Sequence, residues 1–436
     1  MTDLITRKPS DWDIKNLENI ATFITKGATP TTYGFEWVEE SSDSIPFLRS
    51  ECVTANGFNR KGMNFISKKA HVTMGRSKIK SGDILITITG NIGRIATLPD
   101  EIPEANINQH IAKISVIDGV SSSYVAQALQ QERYNRYYER ILTGQAYPQI
   151  SLKQVRETPI LLPPHPEQQK IAEVLSTVDK KIDLIDQKIA ETEKLKTGLM
   201  QKLFSEGVGV QDENGEWQPH TEFQDSIYGN IPKTWKLFKL NQVTDYVDYR
   251  GKTPPKVESG TFLVTAKNIK NGFIDYECSK EYIPSELYDD VMSRGKPKLG
   301  DVVFTTEAPL GNVALIDRSD VAIAQRVIKF RPKDDICLDS GYLKHFMLST
   351  YFQKELLQNA TGSTVLGVKG KRLHVMLVCL PSINEQIMIV DILNEVDRKM
   401  HFLELQKAET QQLKKGLMQK LLTGEWRVPV EETEAA

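Results

Sequence analysis

The residues best suited to holding a ligand lie in short loops of Gly, Thr, Asn, Gln, Lys and Arg that recur at matching places in the two halves of the chain. In the first half they are Lys26, Gly27 and Thr29, then Arg49 and Ser50, then Thr89, Asn91 and Arg94, and finally Asn108, Gln109 and His110. In the second half they are Arg250, Lys252 and Thr253, then Lys267 and Asn268, Thr306 followed by Glu307, and Gln325 with Arg326. An arginine fork matches the O6/N7 edge of guanine, and a carboxamide matches adenine. Threonine hydroxyls and backbone N–H groups hold phosphate oxygens. The set therefore predicts contacts to DNA, although any single Thr-Gly or Asn-Gln is equally at home in an ordinary turn.

No catalytic constellation accompanies these loops. Neither Gly-x-x-x-x-Gly-Lys-Ser/Thr nor Gly-x-Gly-x-x-Gly occurs, so no phosphate-cradling nucleotide loop is encoded. The seven histidines show no His-x-x-x-His spacing, which argues against a dedicated metal site. Cys52, Cys278, Cys337 and Cys379 stand far apart without Cys-x-x-Cys, so they read as reduced thiols. Glu-x-Lys, expected of a metal-dependent nuclease, is absent, and Thr253-Pro254-Pro255-Lys256 is not the tetrapeptide of an amino-methyltransferase. Binding explains the loops better than catalysis does.

The elements that must position these loops are themselves repeated. Lys196-Thr197-Gly198-Leu199-Met200-Gln201-Lys202-Leu203 returns as Lys414-Lys415-Gly416-Leu417-Met418-Gln419-Lys420-Leu421, and Glu167-Gln168 returns as Glu385-Gln386, both 218 residues on (416 − 198 and 385 − 167). Fainter echoes at the same offset join Gly82-Asp83 to Gly300-Asp301 and Leu162-Pro163 to Leu380-Pro381; Trp12 answers to Trp235. Charge follows the repeat. Lys+Arg minus Asp+Glu is 19 − 17 for residues 1–165, 7 − 13 for 166–230, 22 − 17 for 231–383 and 7 − 10 for 384–436, so a net charge of −2 conceals two mildly basic and two acidic stretches.

Each half reads as a variable domain followed by one long amphipathic helix. Ile171, Leu175, Val178, Ile182, Ile185, Ile189, Leu195, Leu199 and Leu203 recur at helical spacing, as do Ile389, Leu393, Val396, Met400, Leu403, Leu413, Leu417 and Leu421. At 1.5 Å per residue each helix spans roughly 55–60 Å. A stripe that long cannot stay in water, so the two helices are expected to pair as an antiparallel coiled coil. The two domains then sit at opposite ends about an approximate two-fold axis. Gly198 and Gly416 each cost about 1 kcal/mol inside a helix, and their recurrence suggests the close approach of another helix backbone; a fraying helix end is the alternative. Residues 83–89 and 301–306 read as strands opened by a Gly-Asp turn, and 121–142 and 340–359 as helices. The expected fold class is α+β. The expected boundaries are a first domain at 1–165, a central helix at 166–207, a linker at 208–230, a second domain at 231–383, a C-terminal helix at 384–424 and an acidic tail at 425–436.

This combination resembles the specificity subunit of type I restriction-modification enzymes. The resemblance rests on Leu161-Leu162-Pro163-Pro164-His165-Pro166-Glu167-Gln168-Gln169-Lys170-Ile171-Ala172, on Leu175-Ser176-Thr177-Val178-Asp179-Lys180-Lys181-Ile182, and on the Gly-Leu-Met-Gln-Lys-Leu repeat. The second copy departs from it at Ser382-Ile383-Asn384 and Ile387-Met388-Ile389. The resemblance implies two target recognition domains in tandem, each reading one half of an asymmetric bipartite site in double-stranded DNA. It implies helices that set the spacer and dock two modification (methyltransferase) subunits and, through them, motor-nuclease restriction subunits. Gly198, Leu199, Met200, Leu203, Gly416, Leu417, Met418 and Leu421 become candidate partner-binding residues, with coiled-coil core as the alternative. S-adenosylmethionine, ATP and Mg are expected on those partners and none on this chain, which is expected to be non-catalytic. A cytoplasmic location is expected, since no run approaches 18 apolar residues and the start lacks a secretory pattern. The rival reading is a coiled-coil adaptor with two protein-binding domains.

Overall fold

The structure, a computed structural model, describes residues 4–5, 7–144, 148–249, 254–362 and 364–430. It divides into two compact units, one of Met1–Asp186 with Leu405–Ala436 and the other of Gln187–Glu404. The division cuts through both long helices, so each unit contains one globular domain and half of each helix. The fold is α+β, with two similarly built domains in tandem and a pair of long antiparallel helices.

In the first unit one four-stranded sheet runs Ala21–Lys26, Ile111–Val116, Ile84–Thr87, Ile95–Thr97, all antiparallel. A second sheet runs Asn64–Ser67, Ser44–Leu48, Glu104–Ile107, Lys78–Lys80, with its two inner strands parallel. Ile84, Leu85, Ile86 and Thr87 are all buried because both faces of this strand are covered. The second unit repeats the first order with Thr244–Asp248, Val327–Pro332, Val302–Thr306, Leu310–Leu315, and adds a three-stranded sheet of Tyr282–Ile283, Thr261–Val264, Val321–Ile323. The repeated Gly-Asp opens matching turns. Gly82 and Gly300 have φ of 81° and 82°, which favours glycine, and Asp83 and Asp301 accept from the backbone N–H of Lys80 and Lys298.

The segments expected as single helices are each broken in two, into Ser122–Leu129 and Glu132–Arg140 and into Ser340–Leu348 and Thr350–Asn359. Ser121 and Asp339 cap them by accepting from the backbone N–H of Tyr124 and Tyr342. The two buried tyrosines donate to the carbonyls of Leu161 and Cys379, just ahead of each long helix.

The long helices run His165–Leu203 and Ile383–Leu421. Within the first unit Asp179 pairs with Lys414 and Asp186 with Lys407, each at 2.6 Å; within the second, Asp397 pairs with Lys196 at 2.6 Å. As one partner rises from 179 to 186 to 196 the other falls from 414 to 407 to 397, by equal steps, which is antiparallel pairing. Ile185 and Leu403, and Thr192 and Thr410, are buried along it.

Three expectations change. Gly198 and Gly416 are exposed and a Cβ at either meets nothing within 4 Å, so no helix among the described residues approaches them. The close approach occurs instead at Gly341, whose Cβ would lie 2.9 Å from Val390 Cγ1 on the second long helix. Leu195 and Leu413 are 51% and 54% exposed and stand outside the packed stripe. The segment expected only as a linker at 208–230 carries two short hairpins, Val210–Gln211 with Trp217–Gln218 and Phe223–Ser226 with Gly229–Pro232.

The Glu-Gln repeat holds each helix entry to its domain. Gln168 accepts from Ser121 N–H and Gln386 from Asp339 N–H. Buried Glu167 accepts the indole N–H of Trp12 at 3.0 Å and also takes Arg427, which in turn grips Asp11. Buried Glu385 accepts the indole N–H of Trp235 at 3.0 Å, the N–H groups of Val208 and Gly209, and a contact from His220. Leu421 and Leu422 enter the first core, and Leu203 and Phe204 the second. Arg427 thus ties down the start of the segment expected as an acidic tail; residues 431–436 lie outside the described residues.

Candidate nucleic-acid interface

In the first unit the sheet brings three of the expected loops to one edge. Ala112 is in register with Lys26, and Ile111 with Thr87, so the loops at 27–30, 88–94 and 108–110 leave neighbouring strand ends. Gly27 makes this approach possible, because a Cβ there would lie 1.8 Å from the Ile107 carbonyl oxygen. Thr29 Oγ1 donates to Gln109 Oε1 at 2.7 Å. Gln109 Nε2 lies 3.1 Å from His110 Nε2, and His110 Nδ1 lies 2.5 Å from Thr89 Oγ1. With the amide donating, His110 Nε2 accepts and Nδ1 carries the hydrogen, an assignment made from the network. Thr29, Gln109, His110 and Thr89 thus form one uncharged, partly exposed chain of donors and acceptors.

The other expected residues of this unit surround that chain. Asn108 is almost buried and accepts from His110 N–H, so it shapes the turn. Its own N–H reaches the Leu48 carbonyl, which places the Arg49-Ser50 loop beside it. Arg49 is 43% exposed and pairs with Glu51 at 2.8 Å. Arg94 is half-buried, its backbone N–H on Thr87 Oγ1, and the Asn91 carbonyl accepts the Thr87 hydroxyl. Lys26 is exposed at its strand end.

In the second unit Arg250, Lys252 and Thr253 lie outside the described residues. Lys267, Gln325 and Arg326 line one open cavity of ≈ 260 Å³ together with Lys256, Thr265 and Glu281. Asn268 and Thr306 are corrections. Asn268 is fully buried, and its carboxamide serves Thr265 N–H and the carbonyls of Asp275 and Ser279. Thr306 is buried with its hydroxyl on the Arg326 carbonyl. Both hold loops, and neither presents a group to a base. Glu307, which follows Thr306 in the expected loop but is not itself an expected DNA contact, lies 2.7 Å from Arg326 Nε. The repeat could have revealed it, since Glu307 stands 218 residues after Thr89.

At the helix ends, Leu203 and Leu421 are buried in the chain's own cores, while Leu199, Met200, Leu417 and Met418 are half-buried against them. Leu184 and Leu195 on the first helix and Phe402, Leu405 and Leu413 on the second are at least half exposed. No helix among the described residues is long and apolar enough to cross a membrane.

Known proteins resemble the chain over this same architecture. The family model described as the type I restriction modification DNA specificity domain matches twice, at residues 9–194 and 232–415. The chain is 26% identical over 430 residues to the type I restriction enzyme MjaVIII specificity subunit of Methanocaldococcus jannaschii, covering 97% of this chain and 94% of that one. It is 23% identical over 393 residues to the EcoBI specificity subunit of Escherichia coli, covering 81% and 78%. A crystal structure of the type I restriction-modification S subunit from M. genitalium shares the fold, with a TM-score of 0.56 at 14% identity over 97% of this chain and 99% of that one. A chain from a structure of type I R-M complex assembly superposes with a TM-score of 0.54 at 17% identity, covering 96% and 100%. Tandem copies of a DNA-specificity domain define the class. The chain belongs to the type I restriction-modification DNA specificity family, whose role is DNA recognition.

Proposed function

We propose that each globular domain reads one half of an asymmetric, bipartite DNA site, and that the paired helices set the unread spacer and dock modification subunits. The observation that carries this reading is the matched pair of loop clusters, built on the same strand order and differing in the side chains they present. Two divergent domains on one chain can read two different half-sites, whereas a homodimer is confined to palindromes. Docking of methyltransferase subunits is supported by the exposed Leu184, Leu195, Phe402, Leu405 and Leu413 and by the open helical glycines Gly198 and Gly416. Such a subunit, working in the cytoplasm, supplies recognition and no catalysis; S-adenosylmethionine, ATP and Mg belong to the methyltransferase and motor-nuclease partners. Because those partners share in phosphate neutralisation, the isolated chain is expected to bind DNA weakly and with little salt dependence.

The test is co-expression with the modification subunit, with methylation read base by base against that subunit alone. A split motif appearing only in the co-expression supports the reading. If the chains copurify and the methyltransferase is active yet no split motif appears, the adaptor with two protein-binding domains takes its place.

A further inference from the structure

The loop clusters of the two domains can be matched atom for atom along the backbone. Ile88 N–H donates to the His110 carbonyl at 2.9 Å, and Thr306 N–H donates to the Arg326 carbonyl at 2.9 Å. Ile150 N–H reaches the Ile88 carbonyl at 3.0 Å, and Val368 N–H reaches the Thr306 carbonyl at 3.0 Å. Thr89 bridges to Gln149, which bridges to Thr143; Glu307 bridges to Gly367, which bridges to Thr361. Thr89 and Glu307 therefore occupy one position of the scaffold, His110 and Arg326 another, and Gln149 and Gly367 a third. Gln109 and Gln325 precede the second position in both domains.

The backbone is shared but the chemistry is exchanged. The first domain carries the neutral Thr89–His110 hydrogen bond, whereas the second carries the Glu307–Arg326 ion pair. Gly367 leaves room for the carboxylate, since a Cβ there would meet Glu307 Cβ at 3.3 Å and Oε2 at 3.4 Å. Arg326 is held at φ 72°, a left-handed conformation that side chains other than glycine rarely adopt, and strain of that kind gathers at functional sites. Its side chain is 52% exposed at the rim of the cavity shared with Gln325 and Lys267.

We infer that this position discriminates bases, and that in the second domain Arg326, positioned through Nε by Glu307, reads a guanine of its half-site. A guanidinium fixed on one edge offers its remaining donors as a fork that matches O6 and N7. This assignment rests on the proposed reading of bipartite DNA, and its test separates the two. Full-length chains are co-expressed with the modification subunit, methylation is mapped base by base, and circular dichroism checks folding. The native complex is expected to give a split motif with an obligatory guanine in one half-site. Arg326→Ala is expected to lower methylation there by about ten- to a hundredfold or to erase the guanine requirement. Arg326→Lys, which keeps the charge and loses the fork, is expected to relax that one base, and Glu307→Gln to relax it less. The double variant Glu307→Thr with Arg326→His is expected to change preference at that base and leave the other half-site untouched. Uniform loss at all sites with the guanine requirement intact would make Arg326 a phosphate contact and overturn the assignment, as would unchanged methylation by folded Arg326→Lys and Arg326→Ala. Absence of any split motif from the native complex overturns the bipartite reading itself and the assignment with it.

Discussion

Glu385 illustrates how one buried carboxylate can organise a domain. It is 1% exposed and gathers Trp235 Nε1, two backbone N–H groups and His220 around two oxygens. Replacing it with Ala leaves the buried Trp235 indole N–H and Gly209 N–H without their acceptor, so Glu385→Ala is expected to destabilise the second unit by about 3 kcal/mol. Hydrogen exchange in the paired strands Lys236–Lys239 and Leu377–Leu380 measures the loss. His345 gives a pH dependence. It is fully buried on Ser340–Leu348, with Nε2 on Asn394 Oδ1 at 3.0 Å, and burial, aided by the neighbouring Lys344, lowers its pKa from 6.5 to about 4. Between those values the unfolded chain binds the proton and the folded chain does not. Its contribution to stability is therefore full above pH 6.5 and is lost as pH falls toward 4, by about 1.4 kcal/mol per pH unit. Urea unfolding of wild type and His345→Gln at pH 7, 5.5 and 4.5 is expected to show their difference changing with that slope; a constant difference contradicts it.

At the scale of elements, the long helices show how an apolar repeat and a glycine differ as signals. Periodicity placed the helices at 166–207 and 384–424, where His165–Leu203 and Ile383–Leu421 are observed, because burying a stripe is what makes such a helix stable. The glycine repeat suggested a neighbour that no helix among the described residues supplies. With open space at both positions, Gly198→Ala and Gly416→Ala are each expected to stabilise the isolated chain by about 0.8–1 kcal/mol, by removing the helix-interior cost of glycine. Thermal unfolding reads the gain. Weaker assembly with the modification subunit by the same variants would mark these faces as docking sites, whereas unchanged assembly would place docking elsewhere.

At the scale of the molecule, the compact units do not follow the chain in order, since Leu405–Ala436 belongs with Met1–Asp186. A recognition domain moved alone must therefore satisfy groups that stay behind. Exchanging residues 1–165 for the matching segment of a relative is expected to change one half-site and spare the other, provided the incoming segment retains Trp at position 12 for Glu167 and Asp at position 11 for Arg427. Chimeras lacking both are expected to give little folded protein, which solubility and methylation mapping together reveal. The sequence by itself determined the repeat, the α+β class, the two helices and the family, because periodicity and duplicated motifs are local and survive without a partner in space. Only the tertiary structure decided that Glu-Gln is a clasp, that Asn268 and Thr306 hold loops, that Gly341 and not Gly416 is approached by a helix, and that Glu307 stands against Arg326. Each of those outcomes depends on which distant donor, acceptor or methyl group reaches the residue, and that is set by strand register and helix packing.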